Sequence, residues 1–203
     1  MPSAIGFIKD QYTTLNLPIP PTNITESTYI VTGANTGLGY ECTKHLLSMG
    51  VERIILAVRT PAKGEAALAT LRRETGRPSA GEVWQLDLTS LDSVEAFSKK
   101  VNSLNRLDAL ICNAGVIMSQ FTPAEGLEMT LQVNVVATAL LALRALPKLE
   151  ESAKKFGTQP RLTIVSSDQS FGDNVKLCVE KLAPQGSVFA AFSEEKNFNS
   201  MAT

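Results

Sequence analysis

Cysteine and histidine are scarce in this 203-residue chain: Cys42, Cys112 and Cys178 lie far apart with no C-x-x-C pair, and His45 is the only histidine. A disulfide scaffold needs paired cysteines and a zinc site needs clustered ligands, so neither is expected, and no metal is expected. Basic runs are missing too. The 19 Lys and Arg are offset by 20 Asp and Glu for a net charge of −1, and they are spread along the chain. Without a basic stripe to meet phosphates, nucleic acid is not an expected partner. Long apolar runs are also lacking: the longest, Val135 to Leu143, falls well short of the roughly 20 residues that cross a bilayer. The opening MPSAIGFIKDQYTT has only a short apolar patch before Lys9 and Asp10, not the core and cleavage site of a secretory signal. These absences predict a soluble, cytoplasmic protein with no membrane partner, in which the Asn23-Ile24-Thr25 sequon carries no weight. Tyrosine is sparse as well, limited to Tyr12, Tyr29 and Tyr40.

What is present suits one core, with 44% hydrophobic residues in a length too short for two comfortable domains. Residues 1–27, with Pro18, Pro20 and Pro21, read as an irregular lead-in, and residues 28–203 as a single domain. From Thr28 strand-like and helix-like segments alternate: YIVTG, LGYECTKHLLSMG, ERIILAVR, PAKGEAALATLRRETG, EVWQLDL, SLDSVEAFSKKVNSL and DALICNAG. Consecutive βαβ units with a parallel sheet produce this pattern. Gly50 suits a left-handed helix end, Pro61 a first helical turn, and Thr89 or Ser90 a helix cap. A long helix is expected from about Glu125 to Lys155, then a buried strand in RLTIVSS, the fifth of the sheet. Beyond Ser167, Phe171, Val175, Leu177 and Val179 suggest partial order, and PQGSVFAAFSEEKNFNSMAT has no clear period.

The most informative segment is Thr32-Gly33-Ala34-Asn35-Thr36-Gly37-Leu38-Gly39, between the first strand and first helix. Glycines let a backbone approach a pyrophosphate, and the free N–H groups and positive dipole end of the following helix favour the anion. A glycine-rich turn without a ligand looks much the same, so spacing has to decide. The spacing here is G-x-x-x-G-x-G rather than the commoner G-x-G-x-x-G, and it resembles the loop of the short-chain dehydrogenase/reductase superfamily. The likeness runs from about Thr28 through the fifth strand and implies a Rossmann-type, doubly wound α/β domain. In NAD-selective folds an acidic residue about 20 positions after the loop bonds the ribose hydroxyl. Here the second strand ends in Arg59, with Lys63 one helical turn into the next helix. Both suit a 2′-phosphate, although either could be an ordinary surface charge, and NADP is the expected cofactor. By resemblance, Asp87 and the Leu88 backbone contact adenine, and Asn113-Ala114-Gly115 lines the cofactor.

The family moves a hydride between nicotinamide and a small-molecule carbonyl or alcohol with an Asn-Ser-Tyr-Lys set. Asn134 matches the asparagine that kinks its helix on the proton path, and Ser167, or its neighbour Ser166, matches the serine that orients the substrate oxygen. A phenol with a reference pKa near 10 needs a neighbouring cation to exchange protons near neutrality, which the family supplies as Tyr-x-x-x-Lys. Of the three tyrosines only Tyr40 has a lysine four residues later, Lys44, and that pair stands directly after the glycine loop rather than beyond the fifth strand, where the family has it. The closing EEKNFNSMAT resembles the lead-in to that tyrosine in fungal, retinol-dehydrogenase-like members. The fold is therefore expected to be incomplete, with about five strands, lacking the last family strands and leaving the fifth as an open edge that a second copy or a covering partner would shield. Two readings follow: an NADP-dependent oxidoreductase by lineage, in secondary metabolism, or an inactive cofactor- or partner-binding remnant. A plain α/β domain with no nucleotide is the bland third.

Overall fold

Alternation along the central strands divides the apolar side chains between two layers. The computed structural model describes Tyr12, residues 24–167 and residues 188–198. Most of the expected lead-in, the stretch carrying Phe171, Val175, Leu177, Cys178 and Val179, and residues 199–203 lie outside the described residues. Strand β1 (Thr28–Thr32) leads into helix α1 (Gly37–Ser48), β2 (Arg53–Val58) into α2 (Pro61–Thr75), and β3 (Glu82–Gln85) into α3 (Leu91–Asn102). Then come β4 (Ala109–Cys112), a small antiparallel hairpin of β5 (Pro123–Ala124) and β6 (Leu127–Glu128), and the long helix α4 (Met129–Phe156). Strand β7 (Arg161–Ile164) and a short helix α5 (Val188–Phe192) follow.

Five strands form one parallel sheet in the order β3-β2-β1-β4-β7. Ile30 and Ile55 face a cluster with Val94, Phe97 and Val101 of α3 and Val133, Ala137 and Leu141 of α4. Their neighbours Val31, Ile54 and Leu56 face the opposite cluster, with Leu47 of α1 and Leu68 and Leu71 of α2. Sequential residues thus enter different cores, as the period of two in a strand requires. Helix α4 is long and apolar enough to cross a membrane; Val133, Ala137 and Leu141 lie in the inner core, whereas Val135, Leu143 and Leu146 are exposed. Local signals match the boundaries. Pro61 opens α2, Gly50 follows α1 with a φ of +104°, and Ser90 rather than Thr89 caps α3 through a Ser93 N–H bond of 3.4 Å.

Several expectations need correction. The long helix starts at Met129, not near Glu125, because Glu125 and Gly126 both have positive φ, +50° and +80°, and form the two-residue turn of the hairpin. The ladder of β3 ends at Gln85, so Asp87 and Leu88 sit in the loop beyond it. Val188–Phe192 is helical although its sequence shows no period, since five residues make little more than one turn. Strand β7 is not buried, contrary to its apolar run but in line with the open edge expected of the fifth strand: Arg161 and Thr163 are exposed, and Ile164 and, just beyond the strand, Val165 remain 50% and 48% exposed. Its apolar run resembles a core strand, but among the described residues it is the edge of the sheet. An open apolar edge weakens a fold whose total stability is typically about 5–15 kcal/mol. A monomer of this chain is therefore expected to melt below about 60 °C by circular dichroism, within the ordinary mesophile range or under it. A cooperative monomeric transition above that temperature would show that the edge costs little.

Candidate active site

The last residue of β1 ties the site together. Thr32 is buried, and its Oγ1 accepts the N–H groups of Asn113 at 3.0 Å and Ala114 at 2.9 Å. In return the Asn113 Nδ2 donates to the Thr32 carbonyl at 3.0 Å. The loops leaving β1 and β4 are pinned to each other where the strand order changes direction, the place where open α/β sheets bind ligands.

Glycine is required in the first of these loops for two separate reasons. Gly33 (φ +67°) and Gly37 (φ +58°) occupy the left-handed region; at Gly37 a Cβ would meet no atom within 4 Å, so there the backbone conformation alone selects glycine. At Gly39 space decides, since a Cβ would stand 2.5 Å from both the Gly33 carbonyl oxygen and Asn113 Nδ2. Half-buried Asn35 and exposed Thr36, Gly37 and Leu38 complete the turn into α1. Thr36 makes no side-chain capping bond and the first turn carries no acid, so α1 begins with a positive dipole end that no local carboxylate offsets. The loop and helix start fit a pyrophosphate: close backbone approach, N–H donors and no competing anion.

Arg59 follows β2, which pairs with β1 from Thr28↔Arg53 to Thr32↔Ala57, and so lies beside the glycine loop at the same sheet edge. Lys63 is in the first turn of α2. Both side chains are exposed and have no ion-pair partner among the described residues, which leaves their charge available to a ligand. Past β3, the Asp87 Oδ1 accepts the Thr89 N–H at 2.9 Å and the Thr89 hydroxyl at 2.7 Å, while the Asp87 N–H donates to Ser93 Oγ. The Leu88 side chain is in the core, so only its backbone is available to the cleft.

On the other side of β4 the same network continues. The Asn134 Oδ1 accepts the Val116 N–H at 2.9 Å and its Nδ2 donates to the Val116 carbonyl at 2.8 Å. Asn134 stands in a π-helical segment, Gln132–Ala137, built into α4. The wide turn brings its amide onto the strand-end loop, and a Cβ on Gly115 would already touch Asn134 Oδ1 at 3.3 Å. Thr32, Asn113, Ala114, Gly115, Val116 and Asn134 thus form one set. Ser166 and Ser167 are exposed, just beyond Val165, whose N–H reaches the Cys112 carbonyl at 2.9 Å. The structure therefore places both serines next to the β4 end of the set.

Sequence reasoning missed the Thr32 clamp, the Val116 contact and the hairpin. Only the hairpin had a readable signal, an acid–glycine pair between short strands. Neither described tyrosine at the fold is activated as an acid. Burial and then Asp108 push the Tyr29 phenol above its usual value, and burial and then Glu74, which accepts the Tyr40 hydroxyl at 3.3 Å, do the same for Tyr40. Cys112, in the core, has its thiol pushed up to about 12 by burial. A thiol held protonated reacts slowly, so iodoacetamide at about pH 8 is expected to leave Cys112 unmodified in the folded chain and to label it once urea unfolds the protein. Labelling at equal rates in both states would contradict that burial.

The strand order, the two-faced core and the glycine loop at the switch point define a Rossmann-type, doubly wound dinucleotide-binding fold. The chain belongs to the short-chain dehydrogenase family: the model of the short chain dehydrogenase family matches residues 27–176. It is 39% identical over 167 residues to Short-chain dehydrogenase anuD of Penicillium roqueforti, covering 82% of this chain and 43% of that protein. It is also 38% identical over 203 residues to Short chain dehydrogenase sol3 of Alternaria solani, covering 99% of this chain and 69% of that one. Among solved structures it resembles a short-chain dehydrogenase from Sphingobium yanoikuyae in complex with NADPH, with a TM-score of 0.62, 25% identity, and coverage of 82% of this chain and 59% of the other. The chain spans about half the length of several relatives it matches, for example 43% and 58%.

Proposed function

We propose that this chain is the cofactor-binding part of an NADP-dependent oxidoreductase that moves a hydride between nicotinamide and the carbonyl or secondary alcohol carbon of a small molecule. The observation that carries the reading is the pinned glycine cradle flanked by two cations, Arg59 and Lys63, that have no ion-pair partner among the described residues. Gly33, Gly37 and Gly39, with Asn35, Thr36 and Leu38, hold the pyrophosphate at the start of α1. Arg59 and Lys63 meet a 2′-phosphate. Asp87 and the Leu88 backbone border the adenine, and Asn113, Ala114 and Gly115 line the path toward the nicotinamide. Asn134 and Ser167, with Ser166 beside it, stand where a substrate oxygen would be held. NADP supplies the hydride chemistry when bound. The NADPH bound in the Sphingobium enzyme supports the same cofactor here, the fungal short-chain dehydrogenases support the oxidoreductase chemistry, and a secondary metabolite is the substrate class proposed. The open β7 edge supports association with a second copy or another covering chain, and the free thiols Cys42 and Cys112 support a cytoplasmic location, which a fluorescent fusion checks.

A second reading has its own observation: the one Tyr-x-x-x-Lys pair, Tyr40 and Lys44, lies in α1 with both side chains held by Glu74, at 3.3 and 2.8 Å, and the phenols of Tyr29 and Tyr40 are shifted away from acid function. The 203-residue chain is therefore expected to bind NADPH more tightly than NADH in a calorimetric titration and to show no turnover with generic ketones or secondary alcohols. Absence of binding to either dinucleotide would sink the cofactor reading. Turnover would sink the statement that these residues lack an activated acid.

A further inference from the structure

We infer that Thr138 is a positioning residue, whose hydroxyl holds the wide helical turn that places the Asn134 amide on the Val116 peptide. The inference rests on the cofactor reading only for its affinity measurement. Thr138 is buried, and its Oγ1 donates to the Val133 carbonyl at 2.8 Å, five residues back. A threonine inside an ordinary α-helix bonds a carbonyl three or four residues back. The five-residue reach belongs to the π segment Gln132–Ala137. That bond therefore favours the wide turn over the regular one.

The consequence for the site follows from helix geometry. A π turn holds one more residue than an α turn, and removing it would rotate the residues before it by roughly 100° relative to those after it. The inner face of α4 after the bulge is fixed in the core by Leu141, Ala145 and Leu149. A relaxation to α register would therefore fall on Asn134, whose amide would leave the Val116 N–H and carbonyl that it bonds at 2.9 and 2.8 Å. Val116 directly follows Asn113-Ala114-Gly115, so the loop would lose its support on the nicotinamide side and keep the Thr32 clamp on the other. Such isolated π turns are rare and are frequently found at functional sites.

The test compares Thr138→Val, which keeps the shape and removes the donor, with Thr138→Ser, which keeps the donor. Hydrogen exchange at the Val116 N–H is the direct readout. It is expected to quicken roughly 10-fold in T138V and to stay unchanged in T138S, in keeping with the loss of about one hydrogen bond. T138C, a weak donor of similar size, gives the same comparison where valine unfolds the chain. In parallel, NADPH affinity is expected to fall roughly 10-fold in T138V while affinity for 2′,5′-ADP, which has only the adenine half, is unchanged. Equal exchange at Val116 in T138V and the unaltered chain overturns the inference, as does an equal loss for both ligands. Failure of the unaltered chain to bind either ligand overturns the cofactor reading instead, and the exchange measurement still decides the role of Thr138.

Discussion

Gly39→Ala is expected to cost about 3 kcal/mol of stability and to weaken NADPH binding by on the order of 100-fold. The added methyl would stand 2.5 Å from the Gly33 carbonyl and from Asn113 Nδ2. Neither atom can yield cheaply. Gly33 is anchored by its N–H to the Ala57 carbonyl at 2.8 Å, and Asn113 Nδ2 is occupied by the Thr32 carbonyl at 3.0 Å. The strain must be relieved by shifting the loop away from β4, which opens the clamp and misplaces the N–H groups at the start of α1. Gly37→Ala meets no atom and pays only for its left-handed backbone, roughly 1 kcal/mol. A thermal melt and an NADPH titration on both variants separate the two causes. Equal effects at the two positions would show that close packing at Gly39 is not what the loop depends on.

The second large effect concerns charge. Arg59→Asp is expected to weaken NADPH binding roughly 100-fold and to improve NADH binding, reversing the preference. A charge-assisted contact to a phosphate contributes about 1.5–3 kcal/mol, and a carboxylate adds repulsion against the 2′-phosphate while offering an acceptor to a 2′-hydroxyl. The exposed position of Arg59 makes the effect salt-sensitive, so the difference between the two dinucleotides should shrink from about 10 mM to about 1 M salt as screening tightens. Lys63→Ala should produce the same trend at smaller size, because a lone ammonium on a flexible stem binds less specifically than a guanidinium. Calorimetric titration of both cofactors at two salt concentrations is the measurement. An NADPH affinity unchanged in the R59D variant would mean that Arg59 lies outside the site.

Much of the fold was legible because it rests on local chemistry. Ile30 and Val31, or Ile54 and Ile55, alternate between the two clusters as the strand period demands, and Pro61 and Ser90 mark helix starts through backbone groups within a few residues. The glycine loop was legible through spacing alone. Other features depend on partners far along the chain. Thr32 looks like any strand threonine until Asn113 and Ala114, 81 and 82 residues later, present their N–H groups to it. The π segment is a matter of which carbonyl each backbone N–H over six residues selects, and the side-chain sequence of that stretch does not spell this out. Glu125 occupies a turn position that usually selects Asn, Asp or Gly; its carboxylate accepts the Leu91 N–H at the start of α3, a long-range contact invisible in a local window. The exposure of β7 is a property of its surroundings, which the residues RLTIV do not encode.

The Thr32 hydroxyl has a consequence for how this protein can change. One oxygen, accepting two amides, makes the two lips of the cofactor cleft a single mechanical part. Cofactor binding then needs little reorganisation, and changes on the Val165 side of the sheet are transmitted poorly to the glycine loop. Substitutions in the loop after Val165 can then accumulate while the spacing of the two clamped loops stays constant.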